Sequence, residues 1–309
     1  MTARILEVTP AEYHKLPGFS ASLAKVLITK SAAHAWDVHQ RRLEQIEAED
    51  ESDEDVPDDK RKRLDNGTIQ HALLLGKGGE RIKIIPAELL SKTGTYGTAA
   101  AKAARDGARA AGMIPIKEVE VEIHQRVSDA IRARITAAGH QLGGTSELAI
   151  EWTENTPHGE VECRGLLDHM VSWGDLGIES QNPIGAIIYD LKIVGDAHPD
   201  RCERTAESLG YAIQAAAYTR ALTALYPRLG GRIDFRFLFV ESKRPYELWD
   251  PTLSGPFREI GERRWLRAVH TWAEGVATNR WPGYRTPDRV EITAPMWTLR
   301  AEGYQSEDF

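Results

Sequence analysis

An α/β fold built on one central mixed sheet is what this 309-residue sequence predicts, and three observations predict it. Up to about residue 138 the apolar residues recur at helical spacing. Between 146 and 194 the period drops to two, over three successive strand-like runs. A further helix, a further strand and a long closing helix then follow. With 41% hydrophobic and 28% charged residues, the chain can bury a sizeable core as one large domain.

In chain order, FSASLAKVLITKSAAHAWDVHQRRLEQ (Phe19 to Gln45) predicts two consecutive helices with Ser20 and Ser31 as N-caps, because Ser side chains accept from the free N–H groups of a first turn. Residues 47–59, EAEDESDEDVPDD, hold nine acidic side chains and no basic one, which predicts a disordered linker. From Lys60 a helix runs to the glycines at 76–79, and ERIKIIP from Glu80 is a short strand. Helices are expected over Thr98 to Gly112 and over Glu118 to Ala138.

SELAIEWT (Ser146 to Thr153), GEVECRGLLDHMVSW (Gly159 to Trp173) and Ala186 to Val194 alternate as strands. One helix is expected over Arg204 to Leu225, a strand over Ile233 to Val240, and a helix of about 25 residues before RWPGY at Arg280, with an irregular tail. The domain reading is therefore one unit over 1–309: an N-terminal helical segment 1–46, the acidic linker 47–59, a core 60–281 and a tail 282–309.

No run approaches the roughly 18 apolar residues of a membrane span, and MTARILEVTPAEYHK lacks the apolar core of a secretory signal. A cytoplasmic protein without a membrane partner is the expectation. Cys163 and Cys202 are too few for a disulfide framework or an iron–sulfur cluster, and reduced thiols are expected. The net charge of -7 argues against a nucleic-acid partner, but the acidic block alone accounts for it, leaving the remainder at +2. Five tryptophans, Trp36, Trp249, Trp265, Trp272 and Trp281, are expected to pack in the core.

The chemistry-bearing stretch is IIYDLKIV, residues 187–194, where Asp190 and Lys192 share one face of an apolar strand and Leu191 points to the other. An acid two residues before a lysine is weak evidence alone, and Glu241-Ser242-Lys243 ends an apolar strand equally well; with Asp234 it forms a competing site. Asp190 has Asp168 on the preceding strand, in RGLLDHM, about 5 Å away if the two strands pair. Two carboxylates at that distance repel unless a proton or cation lies between them, and oxygen ligands suit Mg²⁺ or Mn²⁺. The alternative is structural pairing of both acids with Lys192 and Arg164. Downstream, Tyr211, Gln214 and Tyr218 fall at i, i+3 and i+7 on one helix face, either a core-edge stripe or a wall beside the metal. Upstream, His71 sits on a leucine-rich helix, as a satisfied core residue or as a ligand suited to Mn²⁺.

Taken together, Gly67-Thr-Ile-Gln-His71, Gly165-Leu-Leu-Asp168, Asp190-Leu-Lys192 and Gln214-Ala-Ala-Ala-Tyr218 resemble, in this order, the motifs of the RecB-like branch of the PD-(D/E)xK nucleases, especially the RecE-type phage and prophage exonucleases of the exodeoxyribonuclease VIII kind. The resemblance spans about Phe19 to Trp281. It implies a restriction-endonuclease-like core with an N-terminal helical elaboration, in a bacterial host cell. It further implies that His71, Asp168, Asp190 and the backbone carbonyl of Leu191 bind Mg²⁺, with Mn²⁺ able to substitute. Lys192 is then the catalytic lysine, Gln214 and Tyr218 complete the site, and Glu147 is a supporting acid.

The implied activity is metal-assisted phosphodiester hydrolysis of linear duplex DNA, 5′ to 3′. It leaves 3′ single strands for a RecT-like annealing protein, and the enzyme is expected to be a ring-shaped homo-oligomer acting at double-stranded DNA ends. Relatives carrying an iron–sulfur cluster need four cysteines, which this chain lacks. A structure-selective or site-specific endonuclease, or a catalytically idle protein that binds DNA ends, are the alternative readings.

Overall fold

The computed structural model describes residues 2–48, 58–76, 79–140, 142–172, 184–284 and 293–303. In chain order the elements are β1 (Ala3–Ile5), α1 (Pro10–Lys15), α2 (Ala21–Thr29), α3 (Ala32–Ala48), α4 (Asp58–Leu75), β2 (Ile82–Ile85), α5 (Ala99–Ala110), β3 (Ile114–Lys117), α6 (Glu118–Ala137), β4 (Thr145–Thr156), β5 (Gly159–Ser172), β6 (Ala186–Val194), α7 (Pro199–Ser208), α8 (Tyr211–Leu225), β7 (Ile233–Glu241), β8 (Leu248–Trp249), α9 (Gly255–Thr278) and α10 (Met296–Ala301).

Six strands form the main sheet in the order β1-β4-β5-β6-β7-β8. Only β6 and β7 run parallel, because the chain between them crosses over through α7 and α8, whereas the other neighbours pair antiparallel. One face carries the larger core: Leu148, Ile150, Trp152 and Phe235, Phe237, Phe239 from the sheet, against Leu23 and Leu27 of α2, the alanines of α8, and Trp265 and Trp272 of α9. The other face packs Tyr189, Leu191, Leu238 and Val240 against Leu74 of α4 and Ile131 and Ile135 of α6. Strands β2 and β3 make a separate parallel pair joined through α5.

Several expectations are met residue by residue. The Ser20 hydroxyl accepts from the Leu23 N–H and that of Ser31 from the His34 N–H, so both cap as predicted. Trp265 and Trp272 are buried, and Trp36, Trp249 and Trp281 pack against the core half-buried, with Trp36 and Trp281 stacked 4.3 Å apart. Both cysteines are free and buried.

Others are corrected. The single helix expected over Arg204 to Leu225 is two, α7 and α8, because Gly210 turns the backbone left-handed (φ 67°), a conformation that costs glycine little. The ends of the acidic block are helical, Glu47 and Ala48 closing α3 and Asp58 and Asp59 opening α4; residues 49–57, like Trp173, lie outside the described residues. The tail expected to be irregular contains α10. Two short strands, β1 and β8, pair with longer ones, β3 pairs with the equally short β2, and α1 is fixed by a reciprocal cap between Thr9 and Glu12. Among the described residues no helix is long and apolar enough to cross a membrane.

Candidate active site

All eight residues singled out from the sequence, His71, Glu147, Asp168, Asp190, Leu191, Lys192, Gln214 and Tyr218, line one cleft of about 520 Å³. The sheet brings three of them into a row. Ser146 pairs with His169 and Leu148 with Leu167, which sets Glu147 of β4 across from Asp168 of β5. On the other side, β5 and β6 pair up to His169 and Tyr189, and one step further Asp168 and Asp190 stand opposite each other. At that step the ladder opens, and the Leu191 N–H donates to Asp168 Oδ2 at 2.9 Å instead of to a strand carbonyl. Glu147 is one of three non-glycine residues with a left-handed backbone among those described (φ 50°), a costly conformation that gathers at working sites.

Asp190 is 1% exposed. Lys192 Nζ donates to its Oδ1 at 2.9 Å and lies 2.7 Å from its Oδ2, while Gln214 Nε2 donates to Oδ1 at 3.3 Å. The short contact to Oδ2 lacks hydrogen-bond geometry, and Oδ2 has no other hydrogen-bond partner. Burial raises the Asp190 carboxyl above its ordinary pKa; Lys192 opposes that shift and Asp168 adds to it. Burial works to lower Lys192 too, but Asp190, Asp168 and Tyr211 outweigh it and hold the ammonium above its usual value. The ammonium also sits 4.6 Å from the centre of the Tyr211 ring. Lys192 is thus held toward its ammonium form as a donor to Asp190.

His71 enters from α4, and its Nε2–H donates to the Leu191 carbonyl at 2.9 Å. That places its Nδ1 3.7 Å from Asp168 Oδ2. Gly67, one turn earlier, has open space where a Cβ would stand, so its lack of a side chain serves the cleft and not the packing. Gly165 is the opposite case. A Cβ there would lie 3.0 Å from Cε1 of Tyr218, so the glycine preceding Asp168 makes room for the tyrosine that follows Gln214. Burial raises the Tyr218 phenol well above its ordinary pKa, and it remains a neutral donor.

The structural alternative weighed for the two acids is half right. Lys192 pairs with Asp190, but Arg164 donates to the backbone carbonyls of Gly18 and Tyr13 and lies over the Tyr13 ring. The competing site falls apart: Asp234 pairs with Arg236 at 2.7 Å, and Glu241 accepts from the Ala197 and Glu247 N–H groups. Being seven residues apart on one strand, Asp234 and Glu241 point to opposite faces.

Sequence reading missed part of the cleft's lining. Tyr13 and His14 line it, held by Arg164, which donates to the Tyr13 and Gly18 carbonyls, and by Arg42, whose Nε donates to the His14 carbonyl at 2.9 Å. Arg42, Arg81 and Arg164 all line the cleft. They come from three separate elements, so no local motif signals them.

Two carboxylates, a backbone carbonyl and an imidazole are a donor set that suits Mg²⁺ or Mn²⁺, and the unbonded Asp190 Oδ2 is consistent with it. Among the described residues no three His, Cys, Asp or Glu side chains stand together as a metal-holding group.

No protein-family model matches the chain, and no curated protein matches it. Among solved structures it is similar to a crystal structure described as a "Putative exonuclease" from Eubacterium rectale, with a TM-score of 0.50 and 11% identity, over 96% of this chain and 99% of that one. At that identity the likeness shows a shared fold: a mixed α/β architecture with a six-stranded sheet and flanking helices.

Proposed function

We propose that the chain is a metal-dependent deoxyribonuclease, an exonuclease acting on linear duplex DNA. The observation that carries this reading is the convergence of Asp168, Asp190 and Lys192 in one cleft, two carboxylates facing each other across adjacent strands with a fixed ammonium beside them. The fold shared with a protein described as an exonuclease supports it.

Asp168, Asp190, the Leu191 carbonyl and His71 are the groups to hold Mg²⁺, which would supply Lewis-acid polarisation of the phosphate and activation of water. Lys192 donates hydrogen bonds toward the charge that grows on the phosphate, and Asp190 and Gln214 keep its ammonium in place. Gln214 bridges the carboxylate and the lysine through its two amide atoms, so a shift of either moves both. Tyr218 offers a phenol hydrogen at the same wall. Arg42 and Arg81 line the same cleft and suit the phosphates of a DNA strand.

Digestion 5′ to 3′, supply of 3′ strands to an annealing protein and assembly into a ring extend the proposal through the sequence resemblance. The deciding experiment incubates the purified chain with linear and closed circular duplex DNA, with Mg²⁺ or with chelator. Metal-dependent loss of the linear form alone is expected. Equal cutting of the closed circle would replace the exonuclease by an endonuclease, and no metal-dependent cutting of either would overturn the enzyme reading.

A further inference from the structure

Directly behind the row of acids lies a second row of polar side chains that the proposed chemistry does not use. Ser146, His169 and Tyr189 are the immediate chain neighbours of Glu147, Asp168 and Asp190, on the same three strands, and all three are buried. The His169 Nε2–H donates to the Gly143 carbonyl at 2.8 Å, so its Nδ1 must accept, and the Ser146 hydroxyl donates to it at 2.9 Å. The His169 ring stacks on Tyr189, whose hydroxyl lies 3.3 Å from His140 Nδ1. His140 Nε2 in turn donates to Asp250 at 2.6 Å. Two hydrogen-bonded groups, Ser146–His169 and Tyr189–His140–Asp250, thus meet at the His169–Tyr189 ring contact and span from the start of β4 to the residue after β8.

Its place in the strands gives it a task. Tyr189 packs with the α4 and α6 face of the sheet, whereas Asp190 meets Gln214 on the α8 side. On β5 the alternation of faces slips at this level: Leu167 and Met170, three residues apart, both join the α8-side core. On β4 the same level holds the left-handed Glu147. Both departures from a regular ladder need an anchor, and the Ser146–His169 bond ties the two strands together at the step where they occur. Buried polar groups that are fully bonded lock the backbone that carries them.

We infer that Ser146 and His169 are positioning residues, which fix the backbone on either side of the opened ladder and so set the direction in which Asp168 and Glu147 enter the cleft. This rests on the proposed metal site, and it assigns a specific cause for that site's geometry. Replacing groups that orient metal ligands typically costs about 10–100-fold in metal affinity or activity.

The test uses the full chain as wild type, Ser146→Ala, Ser146→Thr and His169→Gln. The glutamine keeps an amide N–H for the Gly143 carbonyl but takes away the ring nitrogen at the Nδ1 position to which Ser146 donates. Mn²⁺ binding is followed by electron paramagnetic resonance of the free ion, thermal unfolding is followed without metal, and digestion of linear duplex is followed against Mg²⁺ concentration. Ser146→Ala and His169→Gln are expected to weaken Mn²⁺ binding about tenfold and to raise the Mg²⁺ needed for half-maximal digestion in parallel. Ser146→Thr, which retains the hydroxyl, should restore both. Mn²⁺ affinity unchanged in Ser146→Ala and His169→Gln, or no recovery in Ser146→Thr, would overturn the inference while leaving the nuclease intact. A wild-type chain that neither binds Mn²⁺ nor digests DNA would overturn the nuclease reading and this inference with it.

Discussion

Two buried carboxylates, Glu154 and Asp190, face the same helix, α8, about two turns apart, and are finished differently. Glu154, 2% exposed, accepts from Trp152 Nε1 at 3.0 Å, Trp265 Nε1 at 3.1 Å, and Arg220 at 2.7 and 2.6 Å. Burial alone would raise its pKa, but Arg220 and the two indoles reverse the sign and hold it below the ordinary value. Asp190 has one cation and one amide, leaves Oδ2 without a hydrogen bond, and is pushed the other way by burial. The same residue chemistry at the same depth is thus a strut in one place and a carboxylate with an incomplete set of hydrogen bonds in the other. Saturation with donors separates the two, where burial does not.

Each half of that contrast can be broken separately. Asp190→Asn should cut metal-dependent digestion on the order of 10³-fold, because it removes charge where the transition state needs a cation held. Its urea unfolding curve should move less than that of Glu154→Gln. For Glu154→Gln the order reverses: a loss of about 3 kcal/mol in urea unfolding, since the amide removes the charge that Arg220 pairs with and one of the two acceptor oxygens, with digestion below the melting range close to wild type. A Glu154→Gln chain as stable as wild type would erase the distinction.

Gly165→Ala should cost about 1–3 kcal/mol by pressing on the Tyr218 ring, and should slow digestion besides, because the displaced ring belongs to the cleft. The smallest effect is in pH. A carboxyl whose pKa is lowered in the fold contributes stability that is complete above its unfolded value, 4.5 for Glu154, and is lost as pH falls through the lower folded one. The stability gap between wild type and Glu154→Gln should therefore hold at neutral pH and shrink below about 4.5, as read from urea midpoints against pH.

Much of the site was legible because it is local. Asp190 and Lys192 share a strand face, Gln214 and Tyr218 share a helix face, and the intervening spacings are short enough for periodicity to read. The opened ladder at Asp168, the left-handed Glu147 and the arginines of the cleft were not legible, since each depends on which distant segments meet. The break at Gly210 escaped notice because an apolar stripe runs on across it. Two of the short elements did leave signs: Thr9-Pro-Ala-Glu12 carries a capping box with proline at the first helical position, yet six residues are too few for a period to register. Ile114-Pro-Ile-Lys117 alternates, but proline disguises a strand that occupies an edge.

Leu191 has the least polar side chain of the D-L-K triplet, and its peptide groups tie the metal-binding candidates together. Its N–H holds Asp168, its carbonyl holds His71, and its side chain is sunk in the core on the far face. Neither backbone bond depends on the side chain being leucine, so an alanine here would report lost core packing and leave both bonds in place. Their contribution would show only when the backbone itself is edited, for example by an ester in place of the 190–191 amide, which deletes the N–H and leaves every side chain untouched.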